Sequence, residues 1–113
     1  MMQPLRWLVA VLLGGAVVAP AWADMPVHTL TFKSGGVLEP AVLQVQAGRF
    51  KIVLVNDSQE AVEFESLPLR KEKVLGPGVT SFVVLTVSRP GDYPFFDDFH
   101  PAAKGILRVR PAP

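Results

Sequence analysis

The sequence predicts an all-β domain, a Greek-key β-sandwich of seven or eight short strands, on three observations. Apolar and polar residues alternate with a period of two in one segment after another. Clusters of Gly, Pro, Asn and Asp punctuate the chain at short intervals, supplied by 9 glycines and 11 prolines. No stretch carries a helical repeat long enough to trust. Short strands separated by turns at this spacing belong to an antiparallel sandwich with Greek-key connections.

The first 23 residues stand apart from that pattern. Arg6 precedes the apolar run WLVAVLLGGAVV, and Ala21-Trp22-Ala23 is a small-x-small triplet; together they read as a secretory signal peptide over 1–23, cut before Asp24. The run is broken by Gly14, Gly15 and Pro20 and falls short of the roughly 20 apolar residues that a spanning helix needs. The expectation is therefore export to the periplasm and no membrane insertion after cleavage. One domain, 24–113, remains. Arg6 is the only charge lost, so the 10 remaining Lys and Arg balance 10 Asp and Glu, a neutrality that offers nothing to nucleic acid or an anionic membrane. With no cysteine, the domain has no disulfide and must be held by apolar packing.

Along 24–113, VHTLTFK (27–33) alternates as a half-buried strand, with His28, Leu30 and Phe32 on one side. SGG is a turn. Leu43 and Val45 alternate with Gln44 and Gln46, Ala47-Gly48 turns the chain, and Phe50 to Val55 is apolar enough for a central strand. NDSQE reads as a loop, AVEFES as a short strand, and LPLRKEKVLGPGV as an irregular basic connection broken by Pro68, Gly76, Pro77 and Gly78. TSFVVLTV is a long strand, RPGDY a turn, YPFF a strand, DDFHPAAK a loop and GILRVR the closing strand.

Chemistry concentrates in that last loop, where Asp97, Asp98 and His100 fall within four residues. Asp97 and His100, three apart across a tight turn, are the pair expected to converge. Glu63 and Glu65, two apart on a strand, leave one face roughly 6–7 Å apart; if Phe64 faces the core, both face outward. Glu72 stands among Arg70, Lys71 and Lys73, its ordinary ion-pair partners. Phe95, Phe96 and Phe99 surround His100 in sequence, a candidate docking patch. His28 and Met25 lie near the start of the domain and are read as packing and loose end. Nucleophilic catalysis lacks its signature: Ser34, Ser58, Ser66, Ser81 and Ser88 have no histidine at a motif spacing.

The stretch YPFFDDFHPAAKGILRV resembles the last strand, loop and closing strand of a cupredoxin, in the short-loop pattern Y-x-(F/Y)-x-C-x-x-H-x-x-M-x-G. LEPAVLQVQAGRFKIVLVN is similar to an earlier stretch of that family, and EFES falls where its first histidine ligand stands. The resemblance places Asp97 at the cysteine, Ala103 at the axial methionine and Glu63 at the first histidine, and retains His100. Blue copper needs a thiolate with two imidazoles, so that site cannot form. The pattern is instead similar to the cysteine-free, EfeO-type cupredoxin-like proteins of bacterial periplasmic iron uptake, including the FtrB-like component. What this implies is a site of Glu63, Asp97 and His100, with Glu65, Asp98 or Glu72 as fourth ligand or support, holding iron or copper. An iron permease or another periplasmic iron-transport protein would be the partner, and ferroxidase the enzymatic reading. The alternative is a metal-free sandwich used as an interaction module.

Overall fold

The computed structural model describes residues 25–113; the expected signal peptide, 1–23, lies outside them. Nine strands form: β1 (Val27–Lys33), β2 (Val37–Glu39), β3 (Val42–Gln46), β4 (Gly48–Asp57), β5 (Val62–Ser66), β6 (Lys71–Leu75), β7 (Thr80–Val87), β8 (Gly91–Asp97) and β9 (His100–Arg110). They build a four-stranded sheet in the order β2-β1-β4-β7 and a five-stranded sheet in the order β3-β9-β8-β5-β6. The all-β sandwich expected from the alternation is present. Two of its pairings, β1 with β4 and β3 with β9, are parallel, so the expectation of a purely antiparallel sandwich is corrected: each pair is joined through a crossing between sheets and not by a hairpin.

The strand boundaries also differ from expectation in two places that matter for the site. The basic connection contains a strand, β6, which forms the edge of the five-stranded sheet beside β5. The expected loop 97–104 shrinks to a two-residue turn, Asp98-Phe99, because β9 begins at His100 and pairs back with Asp97.

Alternation puts Leu30, Phe32, Phe50, Ile52, Leu54, Val83 and Leu85 of one sheet against Leu43, Val45, Val62, Phe64, Phe95 and Leu107 of the other. Four phenylalanines, Phe32, Phe50, Phe64 and Phe95, are almost fully buried. At about 1.5–3 kcal/mol each, any two of them match the roughly 2–4 kcal/mol that a disulfide supplies, which is how a cysteine-free chain of this size holds together. Phe64 and Phe95 stack tilted with centroids 5.5 Å apart. The Phe95 ring lies over β9 at Gly105, where an added Cβ would meet Phe95 Cζ at 2.4 Å and the Ala41 carbonyl oxygen at 2.8 Å.

Buried Asn56 at the end of β4 ties the connections at one end of the sandwich. Its Nδ2 donates to the carbonyls of Glu60 at 2.7 Å and Gly76 at 2.9 Å. This pins the segment that carries Glu60 beside the β8–β9 turn.

Candidate metal centre

At that end, Asp97 is 2% exposed, and its carboxylate is filled by partners. Oδ1 accepts the backbone N–H groups of Glu63 at 2.9 Å and Phe99 at 3.0 Å. Oδ2 lies 2.8 Å from His100 Nδ1, and His100 Nε2 lies 2.6 Å from Glu60 Oε1. An ionised carboxylate only accepts, so one on each side of the ring calls for a donor at both nitrogens, which the protonated imidazole supplies. The hydrogen bond to Asp97, then that to Glu60, raise the His100 pKa above its usual range. Val62 and Ala103 complete the apolar wall of the cleft around this chain.

The second group lies on the outer face of the five-stranded sheet. Val62, Phe64 and Ser66 point into the core, so Glu63 and Glu65 point out. Glu72 of β6 sits directly across from Glu65. One carboxylate oxygen from each of Glu63, Glu65 and Glu72 lies within 4.8 Å of the other two. Asp98 adds a fourth carboxyl near enough for its charge to bear on Glu63 and Glu65.

Among the described residues, the ion pairs involve none of these four carboxyls; the expectation that Lys71, Lys73 or Arg70 neutralises Glu72 is not met. Glu63 is only 8% exposed. Burial first, then the charges of Glu72, Asp98 and Glu65, push its pKa up; burial, Asp98 and Glu72 do the same for Glu65. A concentrated negative charge without a cation is what a metal ion relieves. Oxygen ligands at about 2.0–2.2 Å from an ion sit up to roughly 4.4 Å apart, so these carboxylates need close by well under an ångström.

The six expected ligands thus fall into two sets. Asp97 and His100 converge as their spacing implied, but with Glu60 as third member. Glu63, Glu65, Asp98 and Glu72 gather on the other side of β5. The single set of Glu63, Asp97 and His100 does not assemble, because a shift of one residue along a strand exchanges its faces: the core-facing residue beside Asp97 and His100 is Val62. Glu63 meets Asp97 only through its backbone N–H. Glu60 had no local signal, since it stands in a polar loop 40 residues from His100. Of the aromatic trio, Phe95 is core and Phe99 is half exposed.

A model of the cupredoxin-like domain matches residues 5–109. The chain belongs to the cupredoxin-like domain family. Among solved structures, the chain is similar to a purple cupredoxin from Nitrosopumilus maritimus, with TM-score 0.59 and 16% identity over 74% of this chain and 99% of that one. It is also similar to the metal-binding domain of the Cu(I)-exporting P-type ATPase CopA of Streptococcus pneumoniae D39, solved with Cu(I), with TM-score 0.66 and 17% identity over 74% and 84% of the two chains. The copper-containing nitrite reductase of Thermus scotoductus SA-01 matches with TM-score 0.59 and 26% identity over 91% of this chain but 25% of that enzyme. An uncharacterized protein of Rickettsia prowazekii (strain Madrid E), RP394, is 31% identical over 72 residues. Those are 62% of this chain and 58% of the relative, so the chain spans little more than half of that protein's length.

A blue copper centre does not fit this chain. There is no cysteine, the residue matched to the axial methionine is the methyl of Ala103, and both nitrogens of His100 face carboxylates. The second histidine, His28, packs edge-on against Phe50 near the start of β1, while Lys33, at the other end of β1, lines the cleft; five residues of strand separate the two by about 16 Å.

Proposed function

We propose that this cupredoxin binds a transition metal through Glu63, Glu65, Glu72 and Asp98, and serves periplasmic iron uptake alongside a permease or another iron-transport protein. The observation that carries the reading is the cluster itself: three glutamate oxygens within 4.8 Å of one another, beside a fourth carboxyl, with no cation paired to any of them among the described residues. Carboxylate oxygen is a hard donor that favours Fe(III), Fe(II), Mn(II) or a tetragonal Cu(II) over Cu(I). Anionic oxygens also stabilise the higher charge, so Fe(III) should bind more tightly than Fe(II), and a cluster of this kind makes bound Fe(II) easier to oxidise by dioxygen, which takes the electron. The EfeO-type, FtrB-like resemblance supports iron as the metal, and the copper proteins among the structural neighbours support copper as the competitor.

Calorimetric titration with Fe(II), Fe(III), Cu(II) and Mn(II) tests this. One tightly bound equivalent, strongest for Fe(III) and lost in Glu65→Gln with Glu72→Gln, is expected; Fe(III) held no more tightly than Fe(II) removes the redox role. A metal-free interaction module is the second reading, favoured by the filled hydrogen bonding of Asp97 and His100; the absence of binding for all four ions would establish it. Multiple-turnover consumption of oxygen with Fe(II) separates a ferroxidase from a stoichiometric binder.

A further inference from the structure

We infer that the end of the sandwich where the cupredoxin resemblance places the metal ligands is closed in this chain, and that Asp97 and His100 are positioning residues for the outer carboxylate cluster. The inference rests on the reading of that cluster as the metal centre. Asp97 offers an ion little: Oδ1 takes two backbone N–H groups, Oδ2 takes His100, and the residue is almost wholly buried. His100 has no nitrogen left, since Glu60 holds the other side of the ring at 2.6 Å.

One of the bonds to Asp97 also fixes part of the cluster. The N–H that reaches Oδ1 at 2.9 Å belongs to Glu63, and the N–H of Asp98 returns to the Glu63 carbonyl at 3.0 Å. Glu63 and Asp98 are therefore locked to each other through the backbone, which holds the two carboxyls near one another. The imidazole holds Asp97 in the rotamer that makes this possible, and the Glu60 segment is itself pinned by Asn56. Support of this kind around a ligand set usually changes metal affinity by about 10–100-fold when removed.

The test uses Cu(II) alone as a spin probe, titrated into the whole chain and read by electron paramagnetic resonance and electron spin-echo modulation. Expected is one bound Cu(II) without the modulation of a coordinated imidazole. His100→Gln should then keep the same g-values and bind about tenfold more weakly, and Asp97→Asn, which retains an oxygen acceptor for both N–H groups, should stay closer to wild type. A Glu63→Gln, Glu65→Gln chain should show no imidazole-bound copper either. Imidazole modulation in the wild-type chain that His100→Gln abolishes would overturn the inference. Copper bound without imidazole but identically in wild type and the Glu63→Gln, Glu65→Gln chain would instead sink the cluster reading and leave the closed end standing.

Discussion

Replacing Asp97 with alanine removes the acceptor of two backbone N–H groups and one imidazole. The Glu63 N–H is buried and the Phe99 N–H half-buried. A buried donor left without a partner costs about 1–3 kcal/mol; taking the middle of that range for Glu63 and the low end for Phe99 gives about 3 kcal/mol. In a domain of this size that lowers Tm by roughly 12–24 °C. Asp97→Asn has a different outcome. Its amide oxygen accepts both N–H groups, and its NH2 donates to a neutral His100 ring whose Nε2–H still faces Glu60. Only the charge-assisted part of one hydrogen bond is lost, about 1 kcal/mol. Urea unfolding of the two variants beside wild type, at one pH and without metal, measures the difference. A cost for alanine under about 1 kcal/mol, or a cost for asparagine equal to that for alanine, would show that Asp97 does not hold these N–H groups.

Three further outcomes follow from the same geometry. His100 has a raised pKa in the fold, so its bonds to Asp97 and Glu60 stabilise fully below the unfolded value near 6.5 and are lost as pH rises through the higher folded value; the Tm advantage of wild type over His100→Gln should shrink across that window. Glu63 and Glu65 are also raised, which means their ionisation destabilises the metal-free fold; Glu65→Gln should raise Tm at pH 7, and the gain should vanish below about pH 4.5, where both states are protonated. Gly105→Ala drives a methyl into the Phe95 ring and the Ala41 carbonyl; it should cost about 1–3 kcal/mol, and a double-mutant cycle with Phe95→Leu should recover part of it.

Much of this was legible in the residues. The central strand β4 announces itself through Ile52 to Val55, and the outward direction of Glu63 and Glu65 follows from Phe64 between them. β6 was hidden because an edge strand tolerates lysine and needs little apolar alternation: of Lys71–Leu75, only Leu75 is buried. The start of β9 was hidden for the opposite reason, since its inward positions are Ala103 and Gly105, too small to mark a strand, while Asp97, Asp98 and Pro101 carry the chemistry of a longer loop. The division of the ligands into two groups depended on which residue of Val62-Glu63 faces the core. The family resemblance and the alternation around Phe64 gave opposite answers, and packing decided for the alternation: Val62 joins the apolar core, and Glu63 turns to the outer face. Glu60 entered through tertiary structure alone, brought to His100 by the Asn56 tie.

In the proposed function the ion sits on the outer face of β5 and β6. Paramagnetic broadening of amide resonances by Mn(II) at substoichiometric amounts reads that position directly. Broadening should centre on Glu63, Glu65, Glu72 and Asp98 and spare Gly36, Ser58 and Ala103. A map centred on Gly36, Ser58, His100 and Ala103, with Lys71 and Glu72 unaffected, would place the ion at the end of the sandwich and contradict the account.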